Sequence, residues 1–110
     1  MAARPTDLLQ GTLDLLVLRV LASGPDHGWG LAQRILLLSR DVLQVNQGSL
    51  YPALHRLEER GLVKASWGTS DTNRRARFYE LTPAGRRALA WELETWKQYT
   101  DAVQLVIEGA

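Results

Sequence analysis

A leucine-striped stretch closed by glycine and followed at once by two alternating runs that meet at a turn restricts this chain more than any other feature. In Gly48-Ser49-Leu50-Tyr51-Pro52-Ala53-Leu54-His55-Arg56-Leu57, the leucines at 50, 54 and 57 recur at helical spacing. They therefore share one buried face, with Ser49, Pro52, His55, Arg56 and Glu59 on or beside the other. Gly61 ends the helix, and strands are expected from Leu62 to Trp67 and from Ala76 to Leu81, joined through Asn73-Arg74-Arg75. Helix, then hairpin, is the order of a winged helix-turn-helix. The expected fold is mainly α with a small β-hairpin wing, completed by a C-terminal dimerisation helix.

The flanking segments supply the remaining helices. The first runs between Asp7 and Ala22, with Leu13, Leu16, Val17, Val20 and Leu21 on one face and Leu8, Leu15 and Leu18 around the rest. A helix apolar on nearly all sides must be covered on nearly all sides, which suggests the domain on one side and a partner subunit on the other. Gly24-Pro25 stops it. Asp26 is positioned to cap a second helix reaching about Ser39, with Leu31, Ile35 and Leu38 inward. Val42 to Val45 reads as a short extended run, a candidate edge strand for the wing sheet. Pro52 is tolerable near a helix start if Ser49 is the cap, but lies too deep and should kink the helix if Asn46 is.

Thr82-Pro83 opens the final helix, threonine as cap and proline at the first helical position. Leu89, Leu93, Trp96, Thr100, Val103 and Ile107 then form a seam alternating by four and three, with Ala88, Trp91, Ala102 and Leu105 on another side. One stripe can dock on the body while the other meets a second chain. The expected organisation is a DNA-binding unit over residues 1–82 and a dimerisation helix over 83–110, together one compact unit. Dimer contacts are expected from Leu13, Leu16, Val17, Leu89, Leu93, Trp96, Val103 and Ile107.

Charge locates the partner. The chain totals +1, yet residues 56–87 hold eight Lys/Arg against four acids, a net of +4, leaving −3 for the rest. Clustered positive charge where the helix and hairpin meet is the footprint of a phosphate-binding surface. Arg74, Arg75 and Arg77 at the hairpin, with Lys64 at its base, suit phosphate contact, although Arg77 could instead pair with Glu80 or Asp71. Ser49, Pro52, His55 and Arg56 lie where they can meet phosphates or base edges; Arg56 could equally pair with Glu59. Tyr51 flanks the leucine stripe and is open to either DNA contact or core packing.

Other chemistries find little support. There is no cysteine, and the two histidines, His27 and His55, come without a ligand cluster, so neither a thiolate nor a metal site is expected. No nucleophile, base and acid are arranged together, and Gly28 and Gly30 lack the third glycine of a dinucleotide fingerprint. No enzyme activity and no cofactor are expected. The apolar segment Leu8 to Ala22, 15 residues long and containing Asp14 and Arg19, is too short and charged to span a bilayer, and the first residues lack a signal-peptide pattern. A cytoplasmic location without membrane association is expected. The competing reading is a winged helix that docks protein rather than DNA.

The motifs taken together resemble the PadR family of transcriptional regulators, in its small subfamily with a single C-terminal helix. The likeness rests on Gly11-Thr12-Leu13-Asp14, His27-Gly28-Trp29-Gly30, Gly48 to Leu54 with Arg56-Leu57-Glu58, Trp67-Gly68, Asn73-Arg74-Arg75, Phe78-Tyr79 and Leu81-Thr82-Pro83-Ala84-Gly85. Trp29 stands where the family more often has tyrosine. The resemblance implies a homodimer on a pseudo-palindromic double-stranded DNA operator, acting as a repressor and released by a signal such as a small molecule. It also implies that the third helix enters the major groove, the wing touches flanking backbone or minor groove, and the C-terminal helices pair the subunits. Trp96 is then either a packing anchor or, in a gap between subunits, half of a sandwich around a flat aromatic effector.

Overall fold

A computed structural model describes residues 10–110; Asp7 and Leu8, part of the expected first helix, lie outside the described residues. The elements are α1 (Gln10–Leu21), β1 (Asp26–His27), α2 (Gly28–Leu38), α3 (Gln47–Glu59), β2 (Val63–Thr69), β3 (Arg75–Leu81) and α4 (Pro83–Gly109). Helix α1 is the hub, packed against α2, α3, α4 and β3. Leu13, Leu15, Val17, Leu18, Val20 and Leu21 are all buried there. The all-round apolar character of α1 is thus absorbed almost wholly by its own chain, and Leu13 and Val17 are core rather than dimer surface. Leu16 alone among the expected α1 contacts is only partly buried.

Local chemistry sets each boundary. Helix α2 is capped by His27, whose Nδ1 accepts from the Gly30 N–H at 3.1 Å, one residue after the expected Asp26. It ends in a Schellman turn, with Arg40 N–H donating to Leu37 O and Asp41 N–H to Leu36 O. Arg40 and Asp41 both take left-handed backbone for this reversal. The turn comes before the expected inward Leu38 meets any core: Leu37 and Leu38 are 73% and 74% exposed.

Helix α3 is capped by Asn46, whose side chain accepts from Ser49 N–H at 2.8 Å, which settles the choice between Asn46 and Ser49. Pro52 therefore lies inside the helix, which continues through it to Glu59. The N–H that Pro52 lacks would have served the Gly48 carbonyl one turn back, on exposed backbone that water can reach. A second Schellman turn closes α3, with Gly61 supplying the left-handed φ of 72°.

The sheet is antiparallel in the order β1-β3-β2. Its third strand is Asp26–His27, paired with Tyr79 and Phe78, and not the expected Val42 to Val45, which forms no strand. The core lies between α1, α3 and the base of the hairpin, centred on Leu18, Leu21, Leu31, Leu50, Leu54 and Leu57. Thr82 locks α4 to this body: its Oγ1 donates to Gly61 O at 2.6 Å and accepts from Gly85 N–H at 3.0 Å. Gly85 then lies so close to the Leu62 carbonyl that any Cβ would collide with it. No helix among the described residues is long and apolar enough to cross a membrane.

Candidate nucleic-acid interface

Burying Leu50, Ala53, Leu54 and Leu57 against the core turns the opposite side of α3 outward. That side presents Ser49, Tyr51, Pro52, His55 and Glu59, all exposed. Tyr51 is resolved in favour of partial exposure, 45%, its phenol laid over Gly28, where a Cβ would come within 2.9 Å of the hydroxyl. His55 is 3.6 Å from Glu59, one turn on, so the face carries an acid as well as donors.

Arg56 is different. Its guanidinium turns back to Asp14 on α1 at 3.0 Å, and its Nε is buried without a partner. The residue expected to reach bases is instead tied to the hub helix, to Asp14 rather than to the Glu59 expected as its alternative partner.

The hairpin sorts its cations by what they meet. Arg77 is bound to Glu58 of α3 at 2.8 Å, a pairing that clamps the wing to the helix and occupies the charge expected for phosphate. Lys64 is 3.6 Å from Glu80, its neighbour across the ladder. Arg75 lies over the Trp67 indole, 4.7 Å from the ring centroid. Arg74 and Arg75 have no carboxylate partner among the described residues. They are the two cations on the wing left uncompensated.

Helix and hairpin share a concave surface. A cleft of about 750 Å³ is bordered by Trp29 of α2, Tyr51 of α3 and Trp67, Arg74, Arg75 and Arg77 of the hairpin. A second hollow beside it is lined by His55, Glu58 and Arg77. Ser49, Pro52 and Lys64 lie outside both. Trp29 and Trp67, each 59% exposed, join this surface without a sequence-based expectation; an indole in the first turn of a helix and another beside a wing glycine were the available signals.

The expected dimer residues divide. Leu89 is buried in the body with Leu13 and Val17, whereas Leu93, Trp96, Val103 and Ile107 lie exposed along α4 at 40%, 42%, 39% and 64%. Trp96 leans on Tyr99, ring centroids 6.2 Å apart.

Known structures share this fold. A transcriptional regulator from Clostridium thermocellum superposes with a TM-score of 0.80 at 25% identity, over 90% of this chain and 96% of that one. A PadR-like regulator from Bacillus cereus matches in fold, with a TM-score of 0.78 at 20% identity, over 96% and 100%. The transcriptional regulator Rv3488 of Mycobacterium tuberculosis is 44% identical over 75 residues, covering 68% of this chain and 66% of that protein. The model of the transcriptional regulator PadR-like family matches residues 17–91, from the hub helix through the hairpin into α4. The chain therefore belongs to the PadR-like family of transcriptional regulators.

Proposed function

We propose that the chain acts as a homodimeric, sequence-specific DNA-binding regulator that represses transcription from a pseudo-palindromic operator. The observation that carries this reading is the shared cleft: Tyr51, on the exposed face of α3, and the two uncompensated arginines of the wing border one surface. A helix face can enter a major groove while guanidinium groups beside it hold the flanking phosphates. Dimerisation is supported by α4, which beyond Leu89 carries Trp91, Leu93, Trp96, Tyr99, Val103, Leu105, Val106 and Ile107 exposed. So continuous an apolar surface on one helix is that of an interface. Repression and response to an effector follow the family's pattern. The exposed pair of Trp96 and Tyr99 offers an aromatic surface for a flat ligand between paired α4 helices.

Selection of bound fragments from a random duplex pool, followed by affinity measured across a salt series, tests the reading. The expected result is a common two-fold motif and an affinity that falls steeply as salt rises. Absence of duplex binding at every salt concentration would leave a protein-docking winged helix instead.

A further inference from the structure

The cleft between the hairpin and the start of α2 has a lining that contact with duplex DNA does not use up. Side chains alternate along a strand, so Arg75, Arg77 and Tyr79 of β3 share one face of the sheet with Trp67, which pairs with Arg77. Arg77 is spent on Glu58. Arg75 is held by the Trp67 ring instead, and stacking on a π face fixes a guanidinium while leaving its N–H edge free to donate. No carboxylate lines the cleft. A wing on a duplex meets sugars and phosphates, because the bases are stacked inside, so Trp29 and Trp67 have nothing there to stack on.

We propose that this cleft is a nucleotide site, with the base against the exposed indoles of Trp29 and Trp67 and the phosphate on Arg74 and Arg75. A planar π system joined to an anion is the ligand chemistry that uses both halves of the lining. The volume, about 750 Å³, is within the range of small-molecule sites and well above what a lone phosphate fills. The occupant is a free nucleotide rather than a base of bound DNA, since drawing a base out of a duplex breaks pairing and stacking that a free nucleotide does not have to give up. Its phosphate takes the same two arginines as the operator, so nucleotide and DNA exclude one another; this last consequence rests on the proposed function, whereas the site itself does not.

Titration of the DNA-free protein with GMP, followed by tryptophan fluorescence, tests the site. Saturable quenching is expected, with guanosine alone and inorganic phosphate alone each binding at least about tenfold more weakly, because each lacks half the contacts. Arg74→Ala with Arg75→Ala, and separately Trp29→Leu, should weaken GMP by about tenfold, while Trp96→Ala leaves it unchanged. Inorganic phosphate binding as tightly as GMP would reduce the cleft to an anion patch and overturn the proposal. So would loss of quenching in Trp96→Ala alone, which would move the ligand to α4, or GMP affinity indifferent to the wing variants. GMP should also release duplex DNA at constant ionic strength, and simultaneous binding of both would overturn the exclusion. Duplex binding without GMP binding removes the site alone; GMP binding without duplex binding removes the proposed function alone.

Discussion

Arg56 projects from α3, yet its guanidinium bonds to Asp14, 42 positions earlier in the chain, and so works on the core side of the helix. A half-buried ion pair with one unserved Nε is intolerant of losing its partner, because the remaining charge stays desolvated. Arg56→Met and Asp14→Asn should each cost about 1–3 kcal/mol in denaturant unfolding, and the double variant less than their sum. The salt slope of DNA binding should not move. Arg74→Ala with Arg75→Ala should do the reverse: stability within about 0.5 kcal/mol, and a salt slope lower in magnitude by up to about 2. A salt slope that falls in Arg56→Met would return that residue to the phosphate-binding set. Tyr79 gives a pH signature: burial pushes its phenol above 10.0, with Arg77 opposing. An acid whose folded value is raised keeps its contribution below the unfolded value and loses it as pH climbs through the folded one. Urea midpoints should therefore decline in alkaline solution above about pH 10, and Tyr79→Phe should remove Tyr79's share of that decline.

At the scale of elements, α4 shows what periodicity can and cannot say. Leu89, Leu93, Trp96, Val103 and Ile107 share one stripe, which the sequence displays plainly, but only Leu89 is buried. A helix of 27 residues is about 40 Å long, and the small domain reaches only its first turns. Spacing tells which residues lie together; it does not tell whether the neighbour is the same chain. Leu93→Asp or Val103→Asp should accordingly leave a folded body with native-like melting but shift the sedimentation of the protein from dimer to monomer. Leu89→Asp should unfold it, since a charge would enter the core unpaired. A Leu93→Asp protein that remains dimeric would remove α4 from the interface. The same limit explains α1, whose all-round leucines looked like two interfaces and prove to be a hub. Strand β1 escaped notice because two residues carry no alternation, and its pairing with β3 depends on where α2 begins. Helix α3 and the hairpin were legible because their signals are local: leucine spacing, Gly61, and alternating runs around a polar turn.

At the scale of the whole molecule, the described residues extend 53 × 30 × 21 Å, the long dimension reflecting α4 running past the body. The joint between them is stiff. Thr82 bonds both to Gly61 at the end of α3 and to Gly85 in α4, and Gly85 approaches the Leu62 carbonyl too closely to admit a Cβ. In the proposed dimer, pairing of the α4 helices would therefore fix the separation and facing of the two α3 helices, with little slack to absorb a wrong spacing. Two such helices meet one face of a duplex when half-site centres are about 34 Å, one turn, apart or a multiple of it. Inserting about five base pairs between the half-sites of the selected operator rotates one of them to the far side. Affinity should then drop at least about tenfold, toward that of a single half-site. An insertion of about ten base pairs restores the facing but adds a full turn of distance, which a stiff dimer cannot span, so binding should not recover. Full affinity for either spacing would mean that the two DNA-binding units move independently, and that the Thr82–Gly85 joint does not set the geometry of the pair.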